Sequence, residues 1–266
     1  MKKKKENSTK AGLEILLRKL RIPTFSNLYA EAASTAGREG WTYERYLHYL
    51  AQCEVAERET RRLERLLKQS YLPLDKTLSS LDLSRFPTKV RHQLPGLCEG
   101  TFVERGENVL CFGLPGRGKT HLVCAIGHEL VARGHRVFFT PTFKLVQRLL
   151  KAKKELCLEQ ELRKLDKYDA VILDDIGYVQ QDRDEMEVLF TFLGERYERL
   201  SVLITSNLVF SQWDRIFKDP LTTAAAIDRL VHHSTIFEIT RKTSHRAEAA
   251  KKRSDNLSKK KTAPKK

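Results

Sequence analysis

The stretch that most constrains this chain is Asn108-Val109-Leu110-Cys111-Phe112-Gly113-Leu114-Pro115-Gly116-Arg117-Gly118-Lys119-Thr120-His121. An apolar run of strand character ends at Gly113, and a helical pattern starts near Lys119. Between them lies Gly-x-x-x-x-Gly-Lys-Thr, the spacing of a phosphate-binding loop. Glycines let successive backbone N–H groups curl around an anion, and the helix that follows presents its unpaired N–H groups and positive end. Lys119 then reaches the β- and γ-phosphates, and the Thr120 hydroxyl is placed to ligand Mg²⁺. Gly113, Leu114, Pro115, Gly116, Arg117, Gly118, Lys119, Thr120 and His121 are therefore the expected binding residues for a nucleoside triphosphate.

The chain beyond the loop alternates strand and helix. Strand character returns at Arg136–Thr140, Ala170–Asp175, Val202–Thr205 and Thr235–Ile239. Helical patterns run over 119–133, 143–153, 156–165, 184–199 and 221–233. Apolar strands alternating with amphipathic helices predict an α/β fold, a parallel sheet covered by helices on both faces. Ahead of it, leucines at helical spacing from Ala11 to Leu20, a second pattern after Pro23 and a third from Thr42 onward predict a small all-helical N-terminal domain. Thr42 is placed to cap the third helix. The expected boundaries are a basic tail over 1–10, helices over 11–70, a proline-broken connector over 71–100, the α/β domain over 101–246 and a second basic tail over 247–266.

Two acids end the strand Ala170-Val171-Ile172-Leu173-Asp174-Asp175. Asp174 is expected to hold Mg²⁺ between the phosphates, and Asp175, one residue beyond the strand, to polarise the attacking water. Asn207 follows the next strand. Neighbouring parallel strands share a carboxyl edge, so its amide is expected beside the γ-phosphate. Phe102 and Val103, just before the first strand, suit either the nucleotide base or the core.

Gly113–Thr120, Val171–Asp175, Thr205–Asn207 and Ala225-Ala226-Ile227-Asp228-Arg229-Leu230, in that order, resemble an AAA+ ATPase of the DnaC/IstB branch. The segments Leu17–Pro23, Leu173–Tyr178 and Asp228–His233 are more similar to IstB transposition helpers than to DnaC helicase loaders. The resemblance implies an ATPase that needs ATP and Mg²⁺, forms a homo-oligomer on DNA and assists a transposase. It implies that Arg229 is an arginine finger reaching a neighbouring subunit's γ-phosphate. It also implies a sensor arginine at Arg246, although Arg241–Arg246 departs from the family's usual Gly-Asp/Glu-Ser-Tyr-Arg. Asp175 stands where many members carry Glu, which bears on turnover rate.

Composition narrows the partners. The net charge is +15, of which +4 lies in residues 1–10 and +9 in 241–266, leaving +2 for the body. Basic ends of this kind bind polyanions by counterion release, and the expected partner is duplex DNA with little sequence preference. The helical stripe from Arg58 to Lys68 mixes both signs, which suits a solvated face or a DNA-facing one. Five scattered cysteines without a C-x-x-C pair predict buried reduced thiols rather than disulfides or zinc. His232-His233 is the only adjacent histidine pair, and the histidines form no metal-ligand spacing. No apolar run approaches the ~20 residues of a membrane span, and a signal-peptide reading of Lys2–Lys5 fails on Arg18, Lys19 and Arg21. A cytoplasmic protein without a membrane partner is expected. The rival readings are a helicase loader, separated by co-purification with a helicase, a small-molecule P-loop kinase, separated by DNA-stimulated turnover, and a DNA scaffold with degenerate ATPase.

Overall fold

A computed structural model describes residues 2–178, 183–208, 210–213 and 220–239, and of 2–10 the backbone alone. The chain divides into two compact units, residues 1–65 and 66–266.

The first unit is built from α1 (Lys2–Lys19), α2 (Pro23–Glu39) and most of α3 (Tyr43–Ser70). The first helix takes in the lysine run expected as a tail. Lysine and glutamate are good helix formers, and extending a helix is easier than nucleating one. Pro23 opens α2 at a position where its missing N–H costs nothing. Ile22, at the cap, has no acceptor to offer, and Glu54 supplies it from α3: Thr24 N donates to Glu54 Oε2 at 2.9 Å. Gly40 ends α2 in the left-handed conformation, and Thr42 caps α3 as expected, accepting from Arg45 N at 3.2 Å. Along α3, Glu54–Arg58 and Glu57–Arg61 pair one turn apart at 2.8 and 3.0 Å.

The second unit begins at Leu66, ahead of the expected connector, and takes in all of it. Leu72, Leu81, Phe86, Val90, Leu94 and Leu97 are all buried, so residues 71–100 pack as part of this unit. Pro95 sits inside α4 (Thr88–Cys98), and α5 (Thr101–Glu104) leads into β1 (Asn108–Phe112). The remaining elements are α6 (Lys119–Ala132), β2 (Val137–Pro141), α7 (Thr142–Lys154), α8 (Leu158–Leu165), β3 (Ala170–Asp174), α9 (Arg183–Arg196), β4 (Ser201–Ser206), α10 (Pro220–Val231) and β5 (Ser234–Glu238).

The five strands form one parallel sheet, ordered β2-β3-β4-β1-β5. Val171 and Leu173 join Leu110, Phe112 and Ile204 in a core with α7, α8, α9 and α10. Ile172 points the other way, onto α6, where a Cβ at Gly127 would come within 2.7 Å of it. This alternation buries both faces, which is why the strands read as continuous apolar runs. At the opposite edge from the strand ends, Arg196 is 1% exposed and donates to the carbonyls of Leu165, Tyr168, Asp169 and Ser201 at 3.0–3.2 Å. Burial pushes its pKa down to about 10, so it stays charged at neutral pH. It ties the turns before β3 and β4 together.

The five cysteines are free thiols; Cys98, Cys111 and Cys124 are buried as expected, whereas Cys53 and Cys157 are half-buried. Burial raises Cys111 and Cys124 to about 12, well outside the reactive range. Among the described residues no helix is long and apolar enough to cross a membrane.

Candidate nucleotide site

The strand order places the carboxyl ends of β3, β4 and β1 side by side. Three separate pieces of chemistry therefore meet at one edge. The loop after β1 turns through Gly116 (φ 77°) and Gly118 (φ 92°), left-handed conformations that a side chain would strain. Gly113 begins the loop, Leu114 and Pro115 are exposed, and Arg117 is half-buried. Lys119 is 6% exposed and its Nζ donates to the carbonyls of Gly113 and Leu114 at 2.6 and 3.2 Å. The ammonium is thus held over the loop where phosphate oxygens would replace the two carbonyls.

The hydroxyls and acids beside it form one connected network. Thr120 Oγ1 donates to Asp174 Oδ1 at 2.7 Å, which brings the expected metal ligands together although they lie 54 residues apart. Two hard oxygen donors in contact suit Mg²⁺. Thr205 Oγ1 donates to the same carboxylate oxygen at 2.8 Å and accepts from Asp175 N, also at 2.8 Å. One buried hydroxyl on β4 therefore fixes both acids at the end of β3. The sequence reading passed over it, because nothing local distinguishes Thr205 from any strand threonine.

Asp175 adopts φ 60°, a left-handed conformation that aspartate tolerates better than most side chains. Burial is the main cause that raises its pKa. Lys119 opposes the rise, Asp174 adds to it, and the N–H groups of Gly177 and Asn207 lower it. Asp175 Oδ1 and Asn207 Oδ1 are both buried, and neither has a hydrogen-bond partner among the described residues. Asn207 is brought to this corner as expected. Gly177 makes room for it: a Cβ there would lie 2.3 Å from Asn207 Oδ1.

Other expected residues fall elsewhere. Phe102 and Val103 are core, 3% and 7% exposed, and Phe102 O accepts from Glu107 N. The segment lying against the phosphate loop is the former connector. A Cβ at Gly118 would meet the Phe86 ring at 3.0 Å, and His121 Nε2 lies 3.1 Å from both Thr77 O and Ser80 Oγ. Arg229 is half-buried on α10. Its guanidinium stacks 4.4 Å from the Phe190 ring centre, beside Gly194 of α9. Arg246 and the C-terminal basic segment lie outside the described residues. The histidine pair meets an acid in three dimensions: Glu198 Oε1 lies 3.5 Å from His232 Nδ1 and 3.7 Å from His233 Nε2, all three residues being exposed.

Comparison with known proteins agrees with this geometry. The family described as IstB-like ATP binding protein matches residues 15–253. A Sinorhizobium fredii protein, y4iQ/y4nD/y4sD, is 47% identical over 230 residues, covering 86% of this chain and 77% of its own. Its name assigns it to an insertion sequence as an ATP-binding protein. A Pseudomonas aeruginosa protein named for ATP binding in insertion sequence IS21 is 40% identical, covering 85% of this chain and 86% of its own. Among solved structures, DnaI matches with a TM-score of 0.53 at 23% identity, over 64% of this chain and 95% of that one. DnaA bound to AMPPCP and single-stranded DNA matches at 0.55 and 17%, over 71% and 57%. These two likenesses concern the fold alone.

Proposed function

The chain belongs to the IstB-like ATP binding protein family, and from that premise we propose that it is an ATP-hydrolysing, DNA-binding helper of transposition. In this reading it works in the cytoplasm as a homo-oligomer on duplex DNA, with little sequence preference, and assists a transposase. The names of its relatives, drawn from insertion sequences, support the transposase as partner.

The observation that carries the hydrolytic part is the pair of buried, unpartnered oxygens on Asp175 and Asn207. Buried acceptors without donors are costly, and a water molecule with two O–H groups satisfies such a corner. Asp175 then accepts the proton as that water attacks the γ-phosphate, and Asn207 orients it. Burial raises its pKa, the direction that favours a proton acceptor. Lys119 moves from the loop carbonyls to the phosphate oxygens. Thr120 and Asp174 would hold Mg²⁺, which supplies charge neutralisation between the β- and γ-phosphates.

Arg229 serves a neighbour's site in this reading, and leaves its place over Phe190 on assembly. Arg246 completes the site from beyond β5, and the C-terminal basic segment adds contacts to DNA phosphate.

ATP turnover and nucleotide binding, measured with and without duplex DNA, test the proposal. Lys119→Ala is expected to lose nucleotide binding. Asp175→Asn is expected to bind ATP but hydrolyse it about 10²-fold more slowly or worse. Wild-type turnover in Asp175→Asn would overturn the hydrolytic reading. Mixing Arg229→Ala with Lys119→Ala protein is expected to restore part of the activity, because a mixed interface joins a sound pocket to a sound arginine. Normal turnover by Arg229→Ala alone would remove the shared site.

A further inference from the structure

The helical first unit carries a cavity that the nucleotide site does not use. It has a volume of about 420 Å³ and is lined by Arg18, Arg21, Ile22, Pro23, Ser26, Asn27, Glu54, Arg58 and Arg61. Four arginines and one acid contribute to its lining. That carboxylate is already engaged, since Glu54 accepts from Thr24 N at 2.9 Å and pairs with Arg58 at 2.8 Å.

Two arginines are held in place. Arg58 Nε donates to Glu54 Oε1, its Nη2 donates to Arg21 O at 2.7 Å, and Arg61 pairs with Glu57 at 3.0 Å. The other two are uncommitted: among the described residues Arg18 and Arg21 have no carboxylate within ion-pair distance. Arg21 also sits at φ 56°, a left-handed position where glycine is usual after a helix. That turn brings its backbone carbonyl to α3, where Arg58 Nη2 meets it. Fixed guanidinium forks match phosphate oxygens in pairs, and Arg is hydrated more weakly than Lys.

We propose that this cavity grips the sugar–phosphate backbone of duplex DNA. The volume is several times what one phosphate needs. Ile22 and Pro23 offer an apolar wall for deoxyribose, and Ser26 and Asn27 offer neutral hydrogen-bonding groups. Contacts of arginine to phosphate fix position on the duplex and carry no sequence information. The inference rests on the DNA-binding part of the proposed function. It also divides the α3 stripe in two: Arg58 and Arg61 face the cavity, whereas Arg62 and Arg65 do not line it.

The test compares two full-length double variants with equal loss of charge on the same unit. Arg18→Gln with Arg21→Gln removes the two uncommitted cavity arginines. Arg62→Gln with Arg65→Gln removes two outside it. Duplex affinity is followed by fluorescence anisotropy with a non-hydrolysable ATP analogue, between about 50 and 200 mM salt. Each phosphate contact contributes ~0.9 to the slope of log affinity against log salt, so the cavity variant is expected to lose about 2 from that slope. Its affinity near 0.1 M salt is expected to fall about tenfold or more, and the control pair is expected to lose less than half as much slope.

Equal losses from both pairs would show diffuse attraction and overturn the site, as would an unchanged slope in the cavity variant. A cavity variant that keeps its DNA slope but no longer binds transposase would assign the cavity to an acidic protein surface instead. Inorganic phosphate alone protecting the unit from unfolding, with no change in DNA slope on mutation, would assign it to a free anion. Failure of the wild-type chain to bind any duplex would defeat the DNA reading itself, a result distinct from all of these.

Discussion

The two units use arginine in opposite ways. In the sheet unit Arg196 is buried and spends its donors on four backbone carbonyls. In the helical unit Arg18, Arg21, Arg58 and Arg61 are exposed around one cavity. The first arrangement stabilises a fold, because a charge withdrawn from water needs partners, and the two Nη groups of Arg196 find them although its Nε has none among the described residues. The second leaves charge available to a ligand and contributes little to folding, since exposed ion pairs are worth ~0–1 kcal/mol. Burial, rather than residue type, decides which role an arginine takes.

The contrast can be measured unit by unit, because the chain has two tryptophans, Trp41 in the helical unit and Trp213 in the sheet unit. Single-tryptophan variants would report on each. The largest expected effect is that of Arg196→Leu, which removes four hydrogen bonds, although Leu165 O and Asp169 O keep the backbone donors Tyr168 N and Ser201 N. It should destabilise the sheet unit by about 3 kcal/mol or more, at roughly 1 kcal/mol per lost bond. Denaturation followed at Trp213 would show the loss. A shift confined to the Trp41 signal would break the comparison.

Thr205→Val comes next. It keeps the shape but removes the hydroxyl that joins Asp174 to the Asp175 backbone. The Asp175 N–H then lacks its acceptor, at about 1–3 kcal/mol, and ATP turnover should fall with it. Thr205→Ser should recover both, because the hydroxyl returns. Stability recovered without turnover would mean that the threonine methyl, not the hydrogen bonds, positions the acids.

The smallest effect belongs to the helical unit. Burial tends to raise the pKa of Glu54, but hydrogen bonds from Arg58 and Thr24 outweigh it and the net shift is downward from 4.5. A depressed carboxylate pKa means that the unfolded chain binds the proton more readily. Its stabilising contribution is therefore full above about pH 4.5, and is lost as pH falls through the lower folded value. Glu54→Gln should cost ~1 kcal/mol at neutral pH and flatten the acid limb seen at Trp41. An acid limb that is unchanged in Glu54→Gln would place the pH sensitivity elsewhere.

Much of the sheet unit was legible because its rules are local. Val109–Phe112, Ala170–Leu173 and Val202–Ile204 are continuous apolar runs, which only a sheet buried on both faces demands. Gly116 and Gly118 occur where the backbone must turn left-handed. The connector was misread for the converse reason. Pro73, Pro87 and Pro95 interrupt the periodicity that signals an element, yet Leu72, Phe86 and Leu94 still pack. His232-His233 meets Glu198, more than thirty positions back, only across the fold.

The amino-acid order by itself determined the phosphate loop, the two acids after β3, the parallel α/β architecture and the helical start. Each depends on spacing within a few residues, where chain geometry leaves little choice. Tertiary structure alone decided that Thr205 clamps both acids, that Arg196 ties two turns together, that Glu54 caps α2 and that four arginines share a cavity. The hydrogen bonds among them join residues 5 to 31 positions apart, and the cavity draws arginines from positions 18 to 61. Hydrogen bonds and guanidinium groups act over a few ångströms of space, and only the packing of whole elements says which residues come that close.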